Sequence, residues 1–172
     1  MKKILCLVMC ILLTVSLTAC FSDDAPGKET KPSNSSEQKE KNETFRLNET
    51  AVFDDLKFTA EELKESKGEG FFTPESGKVF VGVKFTVENI SDEEQSVSSM
   101  LLFEGYVDDV KCDYSFNAAC AYTEGTLDGS IAPGKKLVGW YALEVPKNWS
   151  SIELSVKSEW LSNNSAKFVF SK

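Results

Sequence analysis

The stretch that decides the fold is Gly-Lys-Val-Phe-Val-Gly-Val-Lys-Phe-Thr-Val-Glu-Asn, residues 77–89. Its odd-numbered positions from Val79 to Val87 are all apolar, whereas Lys84, Thr86 and Glu88 occupy even positions. Successive side chains of a β-strand point to opposite faces, so this alternation is typical of a strand with one face in a core. The stretch predicts a strand whose odd-numbered side chains point inward.

The same period of two recurs on both sides of this stretch. Further strands are predicted at Leu56–Ala60, Val97–Glu104, Lys111–Phe116, Leu137–Val145, Ile152–Val156 and Phe168–Phe170. Residues 60–67 also have helix-favouring composition, and we expect the strand to continue into a loop there, with a helical turn as the alternative. About seven or eight short strands separated by turns, such as Pro133-Gly134, predict an all-β sandwich.

The N-terminus has the pattern of an export signal. Lys2 and Lys3 precede an apolar run, residues 4–17, and the run ends in Leu-Thr-Ala-Cys with Cys20 last. This ending resembles a bacterial lipobox, which implies diacylation of Cys20, cleavage before it, and a lipid anchor on the extracytoplasmic face of the cell membrane. The alternative is an ordinary secretory signal in which Cys20 is incidental.

Composition divides the chain into three parts. Residues 1–19 are the predicted lipoprotein signal peptide, residues 20–43 the lipidated cysteine and a disordered tether, and residues 44–172 the sandwich domain. The tether is rich in Ser, Asp, Lys, Glu and Asn, so it cannot bury enough apolar surface to offset the entropy of ordering. A flexible segment of this length spans roughly 25–30 Å.

Charge and the absence of one residue type exclude several functions. The chain has 27 acidic and 19 basic residues, a net charge of −8, and this argues against nucleic acid as a partner and against attraction to anionic lipid. It contains no histidine, which excludes Ser-His-Asp and Cys-His catalysis and histidine-ligated zinc. We therefore expect no enzymatic activity and no cofactor.

Two cysteines lie within the predicted domain. Cys112 and Cys120 could form a disulfide in an oxidising extracytoplasmic compartment, where it would close a short loop. The alternative is a pair of buried free thiols.

Two acidic loops are weak candidates for Ca²⁺ binding, which requires six to eight oxygen ligands. They contain Asp92, Glu93 and Glu94 in one loop and Asp108 and Asp109 in the other. They could share an ion only if both loops lay at one end of the sandwich. No EF-hand spacing is present, and solvated acidic loops are the favoured interpretation.

Four aromatic residues form a possible partner-binding surface: Phe71, Phe72, Trp140 and Trp149. Trp140 is out of phase with the inward positions of its strand, and the other three lie in predicted loops. The alternative is that the loop aromatics cap the open ends of the core. Trp160, near the last turn, is predicted to be a lid on the core.

Residues 77–89 and 131–146 together resemble a domain of unknown function found in bacterial lipoproteins. The second stretch reads Ile-Ala-Pro-Gly-Lys-Lys-Leu-Val-Gly-Trp-Tyr-Ala-Leu-Glu-Val-Pro. The resemblance extends over about Leu47 to Phe170. It implies an immunoglobulin-like β-sandwich akin to secreted immunoprotective mycobacterial antigens, and it supplies no catalytic residues.

These observations favour a non-catalytic protein-binding module in the cell envelope. Its expected partners are the membrane, through lipid on Cys20, and an unidentified envelope or host protein. The alternative is a module that captures Ca²⁺ or a small ligand for a transporter or sensor.

Overall fold

The computed structural model describes residues 43–172, so the predicted signal peptide, Cys20 and the tether up to residue 42 lie outside the described residues. Its strands are β1 (Thr44–Phe45), β2 (Thr50–Val52), β3 (Leu56–Ser66), β4 (Lys78–Asn89), β5 (Gln95–Val97), β6 (Phe103–Val107), β7 (Val110–Cys112), β8 (Gly129–Ile131), β9 (Lys136–Pro146), β10 (Ser151–Lys157) and β11 (Ser165–Ser171). Two single-turn helices, α1 (Ser99–Leu102) and α2 (Phe116–Ala119), lie between strands.

The strands form two main sheets packed face to face. The five-stranded sheet has the order β1-β11-β10-β6-β7, the four-stranded sheet has the order β2-β3-β4-β9, and β5 pairs with β8 in a small third sheet. All pairings between named strands are antiparallel except that of β1 with β11, which is parallel. The predicted all-β sandwich is confirmed. Its strand count is higher than expected because β1, β2, β5, β7 and β8 have only two or three residues each.

The core lies between the two sheets, and β4 supplies its centre. The odd-numbered side chains of β4 point inward as predicted, and Phe85 is fully buried. Its ring packs edge-on against Phe103 and Phe168 of the opposite sheet, with ring centroids 5.4 and 5.2 Å apart. Such aromatic pairs add about 0.5–1.5 kcal/mol each beyond the area they bury.

The opposite face of the β4–β9 pair is also buried, under α2 and the turn after it. A second apolar cluster, which we call the outer cluster, consists of Phe80, Ala118, Ala119, Tyr122, Trp140 and Ala142. The Tyr122 ring stacks on Trp140 with centroids 4.6 Å apart. A Cβ at Gly82 would lie 2.6 Å from the Tyr122 ring, so this close approach requires glycine. Residues 79–83 of β4 and residues 139–143 of β9 are therefore covered on both faces.

The predicted strand at Val97–Glu104 is interrupted, because the helical turn α1 separates β5, which ends at Val97, from β6, which begins at Phe103. The Asp128 carboxylate accepts hydrogen bonds from the Ser99 backbone N–H, at 2.9 Å, and from its hydroxyl, at 3.1 Å. This contact between residues distant in sequence favours the turn over the extended chain that the local pattern predicts.

The predicted strand at Lys111–Phe116 ends early, at Cys112, and α2 begins at Phe116. Ser115 caps α2 by accepting a hydrogen bond from the Ala118 N–H at 3.2 Å. By contrast, residues 60–66 remain in β3, with a bulge between Ala60 and Glu62, rather than forming a helical turn.

Two ends of the sandwich can be defined from the strand registers. At one end β4 terminates and β9 begins, since Glu88 pairs with Lys136, and we call this the entry end. At the other, the tip end, Lys78 pairs with Pro146. Only residues 147–150 connect β9 to β10, so β10 starts at the tip end and finishes at the entry end.

Asn89 ends β4 at the entry end through hydrogen bonds of its fully buried side chain. Its Nδ2 donates to the carbonyls of Glu93 and Ile131, both at 2.7 Å. Its Oδ1 accepts from the N–H and the hydroxyl of Ser91, at 2.9 and 2.8 Å. The side chain therefore joins the end of β4 to the following loop and to β8.

Replacing Asn89 by alanine should lower the free energy of unfolding by about 2–4 kcal/mol, because each buried polar group left without a partner costs about 1–3 kcal/mol. Urea denaturation measures this change. The matched control is Asn163→Ala, at an exposed position, which should stay within about 0.5 kcal/mol of the parent protein. Equal stability of the two variants would contradict the role of Asn89.

Candidate functional site

The tip end has a tight hairpin between β3 and β4 that holds an exposed phenylalanine. Glu69 and Phe72 exchange backbone hydrogen bonds of 3.0 and 3.1 Å, so Gly70 and Phe71 form its two-residue turn. Gly70 has φ of +61°, as a tight hairpin of this kind requires. We call residues 69–72 the Phe71 hairpin.

Gly68 fixes the base of the Phe71 hairpin. It has φ of +69°, and a Cβ at this position would lie 1.9 Å from the carbonyl oxygen of Phe72. Its N–H donates to the Ser66 hydroxyl at 3.0 Å. Only glycine fits at this position, so the backbone conformation at the base of the hairpin is fixed. That conformation in turn determines where the Phe71 backbone lies.

The hairpin leaves its aromatic side chains in solvent. Phe71 is as exposed as in an extended peptide, at 102%, and Phe72 is 38% exposed. Burial of such a side chain would stabilise the protein by about 1.5–3 kcal/mol, and the fold forgoes this gain. An aromatic ring presented on a fixed turn is suited to insertion into an apolar pocket of a partner.

The two tryptophans of the predicted partner surface are not accessible, which corrects that part of the prediction. Trp140 and Trp149 are each only 3% exposed. Trp140 does lie on the outer face of its sheet, but Tyr122 covers it. Trp149 closes the tip end of the core, where its Nε1 donates to Glu65 at 2.8 Å.

Trp149 is further held by Lys172, whose ammonium lies 5.2 Å from the ring centroid and 2.9 Å from the Glu65 carboxylate. Hydrogen bonds from Lys172 and Trp149 lower the pKa of Glu65. The interpretation of Trp149 as a cap on the core is thus the one that its contacts favour.

The two acidic loops lie at opposite ends of the sandwich, so they cannot share a cation. Asp92, Glu93 and Glu94 follow β4 at the entry end, whereas Asp108 and Asp109 form the β6–β7 turn at the tip end. Within residues 43–172, no group of three potential ligands could hold a metal ion. The positions of the two loops therefore exclude a Ca²⁺ site that both would share.

Asp108 has a structural role instead. Its carboxylate accepts hydrogen bonds from the backbone N–H groups of Ser150 and Ser151, at 3.0 and 2.9 Å, and from the Ser150 hydroxyl. These bonds, that of the hydroxyl first, lower the pKa of Asp108. The carboxylate thus ties the β6–β7 turn to the start of β10.

The predicted disulfide between Cys112 and Cys120 is not formed, since both thiols are free. Cys112 is half-buried in β7, its Sγ lies 3.7 Å from the carbonyl oxygen of Glu144, and burial raises the pKa of its thiol. Cys120 is exposed at the C-terminal end of α2. Formation of the capped turn α2 between the two cysteines directs the chain onto the outer face of β9.

A second exposed apolar surface, not predicted from the sequence, lies at the entry end. Met100, Leu101, Trp160 and Leu161 are 76, 52, 63 and 83% exposed, and we call them the entry-end patch. The prediction of Trp160 as a lid on the core is wrong. The signal was hidden because residues 100–103 form one apolar run, and only the turn α1 separates its outward half from its inward half.

Among residues 43–172, no helix has both the length and the apolar character needed to cross a membrane.

The architecture defines an all-β sandwich domain with exposed apolar loops at both ends. Residues 45–167 match the family model described as Domain of unknown function (DUF4352), and the chain belongs to this family. The family description assigns no activity, and a comparison with curated proteins gives no match. The resemblance drawn from residues 77–89 and 131–146 is confirmed.

Solved structures similar to this chain come from several bacteria. The lipoprotein candidate YcdA of Bacillus subtilis has 19% identity and a TM-score of 0.58 over 71% of this chain, which spans only 38% of that protein. A β-sandwich protein of Clostridium difficile has 19% identity and a TM-score of 0.52, covering 86% of this chain and 99% of its own.

The secreted protein MPT63 of Mycobacterium tuberculosis is a further structural neighbour. It has 14% identity and a TM-score of 0.53, covering 75% of this chain and 96% of its own. At such identities these likenesses show the shared sandwich fold.

Replacing Gly68 by alanine should disrupt the Phe71 hairpin, because the new Cβ would meet the Phe72 carbonyl. Hydrogen exchange should show faster exchange at the Glu69 and Phe72 amides, with the core amides unchanged. The control is Gly70→Asn, which adds a side chain in open space and tolerates a positive φ. Unchanged exchange at both amides in Gly68→Ala would contradict the geometry.

Proposed function

We propose that this protein is a lipid-anchored lipoprotein on the extracytoplasmic face of a bacterial cell membrane, and that it binds another protein without catalysing a reaction. The observation that carries the proposal is the fully exposed Phe71 on its glycine-fixed hairpin. The partner would be an envelope or host protein with an apolar pocket that accepts this ring.

Anchoring is supported by the sequence before the domain. The lysine pair, the apolar run and the lipobox ending at Cys20 together have the form of a lipoprotein signal. The similar B. subtilis protein is described as a lipoprotein candidate, and the similar mycobacterial protein as secreted. Two acyl chains on one cysteine meet the usual requirement for stable membrane attachment.

The position of the hairpin suits a contact made away from the anchor. The chain enters the domain through β1, which runs parallel to β11 from the entry end. The hairpin precedes β4, which has 12 residues, so it lies about 40 Å along the domain from the entry end. A partner could therefore reach Phe71 without approaching the segment that leads to Cys20.

The surroundings of Phe71 also fit a binding contact. Polar and charged residues follow the hairpin in the chain, among them Glu75 and Lys78, which form an ion pair at 2.8 Å. Interfaces commonly combine a central aromatic anchor with a polar rim that contributes little affinity by itself. Phe71 would be the anchor, with Phe72 beside it.

Cys20→Ala should abolish lipid attachment and leave the protein unprocessed or released from the membrane. Fractionation of expressing bacteria, with mass spectrometry of the N-terminal peptide, measures this. The control is Cys120→Ala, which removes an exposed thiol of the domain and should leave processing unchanged. Lipid-labelled, membrane-bound protein in the Cys20→Ala variant would show that the anchor lies elsewhere.

A photoreactive phenylalanine derivative at position 71 should crosslink a discrete envelope or host protein on intact cells, because the ring would lie inside the partner. With that partner purified, Phe71→Ala should weaken binding about 30-fold, the effect of losing a hot spot worth about 2 kcal/mol. Binding is measured by titration calorimetry.

The matched control for this experiment is Phe116→Ala, since Phe116 is also a strongly exposed phenylalanine, at 69%, but lies on α2. It should bind like the parent protein. Equal loss in both variants, or crosslinks from position 116 and none from position 71, would place the binding surface away from the hairpin.

A further inference from the structure

We propose that the entry-end patch docks on the surface of the lipid bilayer, so that the domain rests on the membrane with its tip end outward. This inference rests on the anchoring proposed above and adds a second contact to it. It follows from the exposure of the patch, from the path of the chain into the domain, and from the charges around the patch.

The patch forms the two sides of a shallow groove. On one side α1 directs Met100 and Leu101 outward, while the neighbouring Leu102 is buried in the core. On the other side Trp160 protrudes from the connection between β10 and β11. The groove between them has a volume of about 200 Å³. Exposed tryptophan and leucine side chains of this kind are typical of groups that insert at the headgroup level of a bilayer.

The chain enters the domain at the same end as the patch. In the parallel pair of β1 with β11, Thr44 lies opposite Lys167, close to the start of β11 at Ser165. From β1 to β6, which follows α1, the sheet order crosses three strand spacings, about 14 Å. The segment that leads back to Cys20 therefore joins the domain within a short distance of the patch.

Because that segment is short, a weak contact between the patch and lipid is sufficient to hold the domain on the bilayer. A chain covering residues 20–43 spans roughly 25–30 Å if flexible, which keeps the domain at an effective concentration of about millimolar at the surface. A patch with only millimolar affinity for lipid would then be occupied for much of the time, although the same domain free in solution would bind lipid poorly.

Charge determines which lipid surface is favoured. Lys157 lines the groove and has no ion-pair partner among the described residues, whereas Glu104 beside it is paired with Lys111 at 3.6 Å. Lys157 can thus meet a lipid phosphate. The net charge of −8 and the acidic loop at residues 92–94 oppose attraction to anionic headgroups. We expect the contact to be mainly apolar and stronger on zwitterionic than on anionic vesicles.

The experiment uses the mature chain from Phe21 with an N-terminal hexahistidine tag in place of the lipid, recruited to phosphatidylcholine vesicles that contain a nickel-chelating lipid. The chain has no histidine of its own, so the tag alone recruits it and natural lipidation is not required. Failure of anchoring at Cys20 and failure of docking are thereby measured separately.

The readout is quenching of Trp160 by lipids brominated on their acyl chains. Trp140 and Trp149 are buried and provide an unquenched background, and Trp160→Phe defines that background. We expect a blue shift and loss of Trp160 emission on recruitment. Met100→Ser with Leu101→Ser should abolish both, whereas Phe116→Ser, an exposed apolar change on α2, should leave both unchanged. Equal melting temperatures exclude unfolding as the cause.

Quenching of the recruited protein no greater than that of Trp160→Phe would overturn the proposal. So would quenching that persists in the Met100 and Leu101 double variant. A blue shift that appears without vesicles and grows with protein concentration would also overturn it, by assigning the patch to a contact between two copies of the chain.

Discussion

Burial on both faces of the tip-end half of β4, residues 79–83, is the constraint on which the rest of the structure depends. Its odd-numbered side chains form the middle of the inter-sheet core, and Phe80, on its other face, lies in the outer cluster with Trp140. A strand segment with both faces buried, as at residues 79–83, cannot lie at the surface of a sandwich, so a further layer has to cover it. The chain supplies that layer with α2 and Tyr122, whose hydroxyl donates to the Lys64 carbonyl at 2.8 Å.

This covering layer explains where functional groups are found. The wide faces of the sandwich are occupied by the outer cluster on one side and by salt-bridged side chains, such as Lys167 with Glu153, on the other. The exposed apolar groups that cluster, as at Phe71 with Phe72 and at Met100, Leu101, Trp160 and Leu161, lie at the two ends, where loops connect the strands, whereas Phe116 on α2 is exposed singly. Binding residues are commonly placed on loops held by a rigid scaffold. Here Gly68 at one end and the Ser99–Asp128 contact at the other fix the loops that present them.

The period of two made the sandwich predictable, because alternation at residues 79–87 and 137–145 reports directly which side chains face the core. It could not show what covers the outer face, since Tyr122 reaches Trp140 only through the folded path of the chain. The turn at α1 likewise depends on Asp128, which is distant in sequence. Phe71 could be singled out because a glycine-rich loop surrounds it, whereas the outward direction of Met100 and Trp160 required the structure.

Exposed apolar groups at both ends of one domain would ordinarily favour aggregation, and the charge of the chain opposes this. A net charge of −8 makes copies of the protein repel one another, so the ends can remain free for other contacts. Because the two ends lie opposite each other, a contact at the entry end does not obstruct the tip. It would instead restrict the orientations of the domain and hold Phe71 outward, which reduces the rotational entropy lost when a partner binds. The two apolar surfaces would then cooperate, although they share no residues.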